Sequence, residues 1–379
     1  MNPSALRTAF ALALATAVSL GLARFSYALL LPPMRADLGW NYFTAGAMNT
    51  VNAAGYLAGA LLMPAALRRR DARAVMLAGG WAAALLLAAH GLVRHDAALF
   101  TLRALTGVAS AASFVGGGVL AARLAGQAAG QAGLVLGIYY GGVGLGIVAS
   151  SLALPALAWP QGWVVLGALA ALATGLAAAG TRTLATPPVA GAARAPLRLA
   201  GFAFGLAGYT MFGLGYIGYM TFVITLLREQ GLSALAQTAF FVLLGLGVMA
   251  SPWLWAGLLQ RHRGGVPLAV LNALLALATL LPVLSTHPLA VFGSGLLFGG
   301  VFLSLVASTT ALVRHNLAPA AWPAGIAAFT TVFAAGQIVG PSLVGWVADG
   351  SGGLARGFVL SAALLAMGAL LALAQRPLR

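Results

Sequence analysis

"GLARFSYALLLPPMRADLGW" occupies residues 21–40 and sets one basic residue, Arg24, into an apolar run that begins near Ala9. A second stretch, "GLGYIGYMTFVITLLREQGL" at residues 213–232, repeats its frame. Gly21, Leu22, Tyr27 and Gly39 fall on Gly213, Leu214, Tyr219 and Gly231, and Asp37 meets Glu229. The same shift of 192 residues continues without a gap: Arg69 meets Arg261, Phe100 and Gly107 meet Phe292 and Gly299, and Gly133, Gly144 and Ser150 meet Gly325, Gly336 and Ser342. Weak self-similarity along a whole apolar chain is the mark of two parallel halves of membrane helices.

The chain's composition makes lipid its main solvent. Of 379 residues, 61% are apolar and 7% charged, against about 25% charged in soluble domains. Twenty basic and five acidic residues cannot cover a core of that size. The net charge of +15 is spread between apolar runs; nucleic-acid binding needs it gathered on one solvated face, so nucleic acid is not an expected partner. All the basic residues are arginine, and no cysteine is present, which excludes a disulfide framework and thiolate-ligated metals. No phosphate-cradling glycine loop, metal-spaced histidine set or nucleophile elbow occurs. Neither a cofactor, a metal nor an enzymatic activity is expected. Residues 1–25 start like a signal peptide, with Arg7 as the charged end, but the apolar run continues to Leu31 with no small-residue cleavage site. It reads as an uncleaved first span.

About 20 apolar residues cross a bilayer as a helix. Cutting at charges, prolines and glycine-rich turns yields twelve spans, at roughly 8–32, 44–66, 74–93, 97–122, 132–154, 163–180, 200–227, 236–258, 265–284, 289–312, 322–344 and 355–374. The expected organisation is an all-α membrane protein: a six-helix bundle over 1–180, a cytoplasmic linker over 181–199 with three prolines, and a second six-helix bundle over 200–379. Basic residues mark cytoplasmic ends. With both termini inside, the inner side holds Arg7, Arg68, Arg69, Arg70, Arg73, Arg123, Arg182, Arg194, Arg198, Arg261, Arg263, Arg314, Arg376 and Arg379. The outer side holds only Arg35, Arg94, Arg228 and Arg356. Both termini are therefore expected in the cytoplasm.

Local motifs carry a family resemblance across essentially the whole chain. "LRALTGVASAA" (102–112) is similar to the fourth-span pattern of the major facilitator superfamily (MFS), with Arg103 followed four residues on by Gly107. "GIYYGGVGLGIVASS" (137–151), with Gly141 and Gly144, resembles that family's glycine-rich fifth helix without its Gly-Pro pair. The repeat-related "GQIVGPSLVGWVAD" (336–349) has the pair at Gly340 and Pro341. "PAALRRRDAR" after the second span keeps Arg69 and its neighbours but departs from the family's loop core. The Arg-Phe-x-Tyr and Leu-Leu-Pro-x-Met run within residues 24–34 resembles the YbfB/YjiJ branch. The resemblance implies the MFS fold, with two pseudo-symmetric bundles, and a secondary active transporter of the bacterial inner membrane working by alternating access. It gives Gly107, Gly141, Gly144, Gly340, Pro341 and Arg69 packing or gating roles.

Two arginines lie inside spans. At 1.5 Å rise per residue, Arg24 and Arg103 both sit about 10 Å below the outer boundary, and a charge there costs roughly 2.5–3.5 kcal/mol on insertion scales. None of the five acidic residues falls mid-span to pair with them. Binding an anion in a shared cavity is one reading; snorkelling to the interface or, for Arg103, a structural role is the other. Tyr27 continues the Arg24 face, and Thr106, Ser110 and Ser113 continue the Arg103 face. Asn49, Asn52 and Tyr56 form a polar stripe on the second span, for binding or for helix packing. In the second half Tyr216 is the repeat partner of Arg24, and Gln337 and Tyr140 add polar and aromatic surface. His90 reads as interfacial, Asp37 and Glu229 as solvated loop charges. The expected substrate is a small, carboxylate-bearing organic anion, moved with protons or against a counter-anion by a monomer. Efflux of hydrophobic or drug-like compounds is the alternative within the superfamily, and a non-transporting receptor or scaffold the alternative outside it.

Overall fold

The computed structural model describes residues 3–128, 131–184 and 199–378. Among them, twelve helices are long and apolar enough to cross a membrane: Ala5–Leu38, Tyr42–Arg69, Ala72–His90, Asp96–Gln127, Ala132–Ala153, Trp159–Gly180, Leu199–Glu229, Ala234–Arg261, Val266–Leu284, Pro288–Asn316, Trp322–Ala348 and Gly353–Leu373. They are called the first to twelfth spans below. The number matches the hydropathy reading, but several ends do not. The fourth span runs to Gln127, five residues past its expected end at 122, and the tenth carries Arg314 in its last turn. A charge ends an apolar run, yet a helix reaching beyond the hydrocarbon tolerates it. The sixth span begins at Trp159, where Pro160 occupies the first turn and needs no hydrogen-bond acceptor. Most of the expected linker at 181–199 lies outside the described residues.

The chain groups into two compact units. One comprises Met1–Gly39, Val51–Gly191 and Ser233–Met249; the other comprises Trp40–Thr50, Ala192–Leu232 and Ala250–Arg379. The repeat detected in sequence has a physical counterpart inside each. In the first unit the first and fifth spans approach backbone to backbone: a Cβ on Gly21 would stand 2.6 Å from Gly146 Cα and 2.8 Å from the Val143 carbonyl oxygen. In the second, the seventh and eleventh spans repeat the contact, and a Cβ on Gly213 would stand 2.7 Å from the Phe333 carbonyl oxygen. Lipid tails are as apolar as leucine, so close van der Waals packing of small residues holds such helices together. Gly39 and Gly231, another repeat pair, end the first and seventh spans with φ of 67° and 84°, a conformation that favours glycine.

The second unit also caps the start of the second span. The Tyr42 and Phe43 backbone N–H groups donate to the two Asp349 carboxylate oxygens at 2.7 and 2.9 Å, and the Tyr42 hydroxyl donates to Glu229. A carboxylate there satisfies orphan N–H groups and complements the helix dipole. Glu229, expected as a free loop charge, is thus a hydrogen-bond acceptor, and Asp37 takes the Trp159 indole N–H at 2.8 Å and Arg94 at 3.0 Å.

The Gly21 contact yields a direct test. Gly21→Ala must push two helices apart, at a cost of about 1–3 kcal/mol, and should lower the melting temperature of the purified protein. Gly118→Ala, whose Cβ would find only ordinary contact with Tyr139 at 3.6 Å, should leave it unchanged or raise it. Equal melting temperatures for the two variants would contradict the packing account.

Candidate functional site

The first span is not a continuous α-helix. Residues Ala17–Phe25 form a π-helix between α-helical stretches Pro3–Thr16 and Tyr27–Leu38. It is the one π segment among the described residues. At its end the Ser26 N–H bonds the Gly21 carbonyl, five residues back, at 3.1 Å, and the Ser26 hydroxyl donates to the Leu22 carbonyl at 2.5 Å. Such π turns are rare and recur at functional sites. Arg24 sits in this one.

Arg24 is 4% exposed, and its Nε and Nη2 are buried with no hydrogen-bond partner. A guanidinium carries five N–H donors and no acceptor. Burying those donors unsatisfied costs free energy that an acceptor would return. Arg103 stands differently. It is fully buried, its Nη1 donates to the Ala23 carbonyl at 2.8 Å, and its guanidinium lies over the rings of Tyr27 and Trp163 at 4.9 and 5.6 Å. Cation–π contact of this kind stabilises a desolvated cation. Tyr27 and Trp163 stack at 6.4 Å, and His90 stacks on Trp163 at 4.5 Å.

The other sequence candidates fall into separate places. Within the first unit, the Asn52 amide donates to the Arg103 carbonyl at 3.1 Å, joining the second and fourth spans, and Gly107 packs against the backbone of Asn52 and Tyr56. Thr106 bonds its own helix at Leu102, and Ser113 reaches the Ala15 carbonyl at 3.5 Å. Tyr140 is 41% exposed. Gly144 stands where a Cβ would meet Met249, while Gly141 has room for one. Arg69 is exposed on the last turn of the second span. In the second unit, Asn49 donates to the Thr221 hydroxyl at 2.8 Å, and the Tyr216 hydroxyl donates to Gln337 Oε1 at 2.8 Å. Gly340 abuts Ile217, and Pro341 lies beside Gly46. Tyr216 also belongs to a run of near-parallel rings with Phe212, Phe302 and Phe333, at 4.6, 6.1 and 5.6 Å.

Three features escape a reading of the sequence. Trp163 is fully buried against Arg103, with its indole N–H on Met34 Sδ at 3.3 Å, although a tryptophan near a span end looks like an interface anchor. His90, expected at the interface, is fully buried instead; its Nδ1 bonds the Leu86 carbonyl at 2.7 Å while Nε2 has no partner. The π turn has no hydropathy signature at all.

Twelve helices long and apolar enough to cross a membrane, one of them holding a buried arginine with unsatisfied donors, are those of a multi-pass membrane protein. The family model described as "Uncharacterised MFS-type transporter YbfB" matches residues 16–373, and the chain belongs to that family. No curated protein matches closely enough to count. Solved structures share the fold. The nucleoside transporter NupG superposes with a TM-score of 0.68 at 16% identity, covering 99% of this chain and 98% of that one. A bacterial homologue of the human lysosomal transporter Spinster, inward-facing and occupied, gives 0.71 at 13%, covering 98% and 97%. The human organic anion transporter MFSD10 gives 0.64 at 16%, covering 98% and 100%.

The aromatic seat of Arg103 should be energetically central to the first unit. Trp163→Ala removes a fully buried ring and should cost about 3–5 kcal/mol, read as a large fall in melting temperature. Trp163→Phe keeps a stacking face and should lose much less. A Trp163→Ala protein as stable as the native one would refute this account.

Proposed function

We propose that this MFS-type transporter carries a small organic anion by alternating access, with Arg24 as the group that binds the substrate's carboxylate. The observation that carries the reading is the Arg24 guanidinium, buried with two N–H-bearing nitrogens that have no protein partner. A carboxylate satisfies such a fork with two parallel charge-assisted bonds, which a lysine ammonium cannot reproduce. Cationic cargo is disfavoured, because no acidic side chain is buried among the described residues. One fold relative is described as an organic anion transporter; at 16% identity that likeness speaks for fold, and the anion reading rests on Arg24. The arginine bias supports placement in the bacterial inner membrane with both termini in the cytoplasm. The protein acts as a monomer.

Energy coupling follows from the placement of the acids. Proton carriers often use an intramembrane Asp or Glu, whereas Asp37 and Glu229 are exposed and already bonded to Trp159, Arg94 and Tyr42. No protein carboxylate is then the obligatory proton carrier. Coupling comes from exchange of anions or from a proton that enters with the substrate's acid group.

Benzoate and benzamide, near-isosteric and differing in charge, test the binding group. Benzoate should raise the melting temperature of the native protein and benzamide should not, since specific binding stabilises by mass action. Arg24→Ala should weaken benzoate by about ten- to a hundredfold, the equivalent of one or two charged hydrogen bonds, and Arg24→Lys should recover only part. Undiminished benzoate binding by Arg24→Ala would remove Arg24 from the site. For coupling, Asp37→Asn and Glu229→Gln should keep both pH-gradient accumulation and equal-pH exchange of benzoate in proteoliposomes. Loss of accumulation alone in either variant would identify that carboxylate as the proton carrier.

A further inference from the structure

The π segment raises a question that the anion reading leaves open: what keeps the first span in this register? A π turn closes its hydrogen bonds five residues back instead of four, so it competes at every residue with the ordinary helix. The competition is decided at the end of the segment. In an α register the Ser26 N–H would bond the Leu22 carbonyl. Here it bonds Gly21, and the Ser26 hydroxyl takes the Leu22 carbonyl in its place. The next carbonyl, that of Ala23, accepts from Arg103 Nη1 at 2.8 Å. The same guanidinium lies 4.9 Å from the centre of the Tyr27 ring. One side chain from the fourth span thus grips the residue before Arg24 and the first residue of the helix that follows.

We propose that Arg103 is a positioning residue: with Ser26, it locks the π register of the first span and so fixes the direction in which Arg24 is presented. The extra residue in a π ring displaces whatever lies beyond it by about 100° relative to an unbroken α-helix. Arg24 stands within the displaced region, one residue from the Ala23 carbonyl and three from Tyr27. Collapse of the π turn to α would therefore turn the guanidinium by about a quarter of the helix circumference. Arg103 is itself well placed to act as a fixed point. It is fully buried, Trp163 backs it at 5.6 Å, and its own carbonyl is held by Asn52. The functional half of this inference rests on Arg24 as the anion-binding group; the register half does not.

The chain contains no cysteine, so single cysteines placed in turn at positions 18, 20, 22, 23, 25, 28, 29 and 30, which leave Gly21, Arg24, Ser26 and Tyr27 in place, can report the register without background. The measurement is the relative rate of maleimide labelling at each position, in the native background and with Arg103→Met or Arg103→Lys. Arg103→Met keeps length and loses the donors; Arg103→Lys keeps a donor. In the native background the reactive positions should recur at the wider π spacing. In Arg103→Met the pattern should tighten to α spacing and its maximum should move by one residue, and Arg103→Lys should restore it in part. A folded Arg103→Met protein with the native pattern overturns the proposal. Where Arg103→Met does not yield a monodisperse protein, Ser26→Ala, which removes one hydroxyl, gives the same readout: a partial shift supports the lock and an unchanged pattern overturns it. Benzoate stabilisation of the same variants separates the two ideas. A shifted pattern with a tenfold or greater loss of benzoate affinity joins register to binding. A shifted pattern with native benzoate affinity, in Arg103→Met and Arg24→Ala alike, leaves the lock standing and removes Arg24 as the anion group.

Discussion

Hydrocarbon offers no hydrogen bonds, so each backbone N–H and C=O inside the bilayer must find its partner within the protein. Twelve helices meet that demand along almost all of their length by bonding within themselves. One exception is informative. Where the first span departs from α geometry, the Ala23 and Leu22 carbonyls are taken by the Arg103 guanidinium and the Ser26 hydroxyl. Irregular backbone at membrane depth persists only where it is buried in protein that satisfies it. The fourth and sixth spans supply that burial through Arg103 and Trp163.

The same demand separates two arginines that look alike. Both cost energy to bury, and both lie at similar depth in apolar runs. Arg103 recovers the cost from a carbonyl and two aromatic faces. Arg24 has Nε and Nη2 buried without a hydrogen-bond partner, which is why the proposed anion site is centred on it.

Symmetry and its loss meet in the same helices. The first and seventh spans keep equivalent glycines at their backbone contacts and at their ends. They differ at the position of the proposed binding group, where Arg24 is matched by Tyr216. Tyr216 spends its hydroxyl on Gln337 and its ring on a stack of phenylalanines. One half has thus kept an unsatisfied charge, while the other has closed the corresponding position with polar and aromatic contacts of its own.

The sequence by itself determined the solvent, the number of spans, the two-half repeat and the family. Each of these depends on properties summed along a local window or compared at a fixed shift: hydropathy, and glycines at repeat positions. It also marked Arg24 and Arg103 as costly residues in need of a reason. Tertiary structure alone decided which of them has protein partners. Ala23, Trp163 and Asn52 lie far from Arg103 in the chain and carry no motif, and only packing brings them within reach of it. Packing likewise drew His90 from an expected interface into a stack on Trp163, and gave Asn49 the Thr221 hydroxyl. The π register is the clearest case. It follows from a competition between hydrogen-bond partners on different spans, and no property of residues 17–25 taken alone contains the outcome.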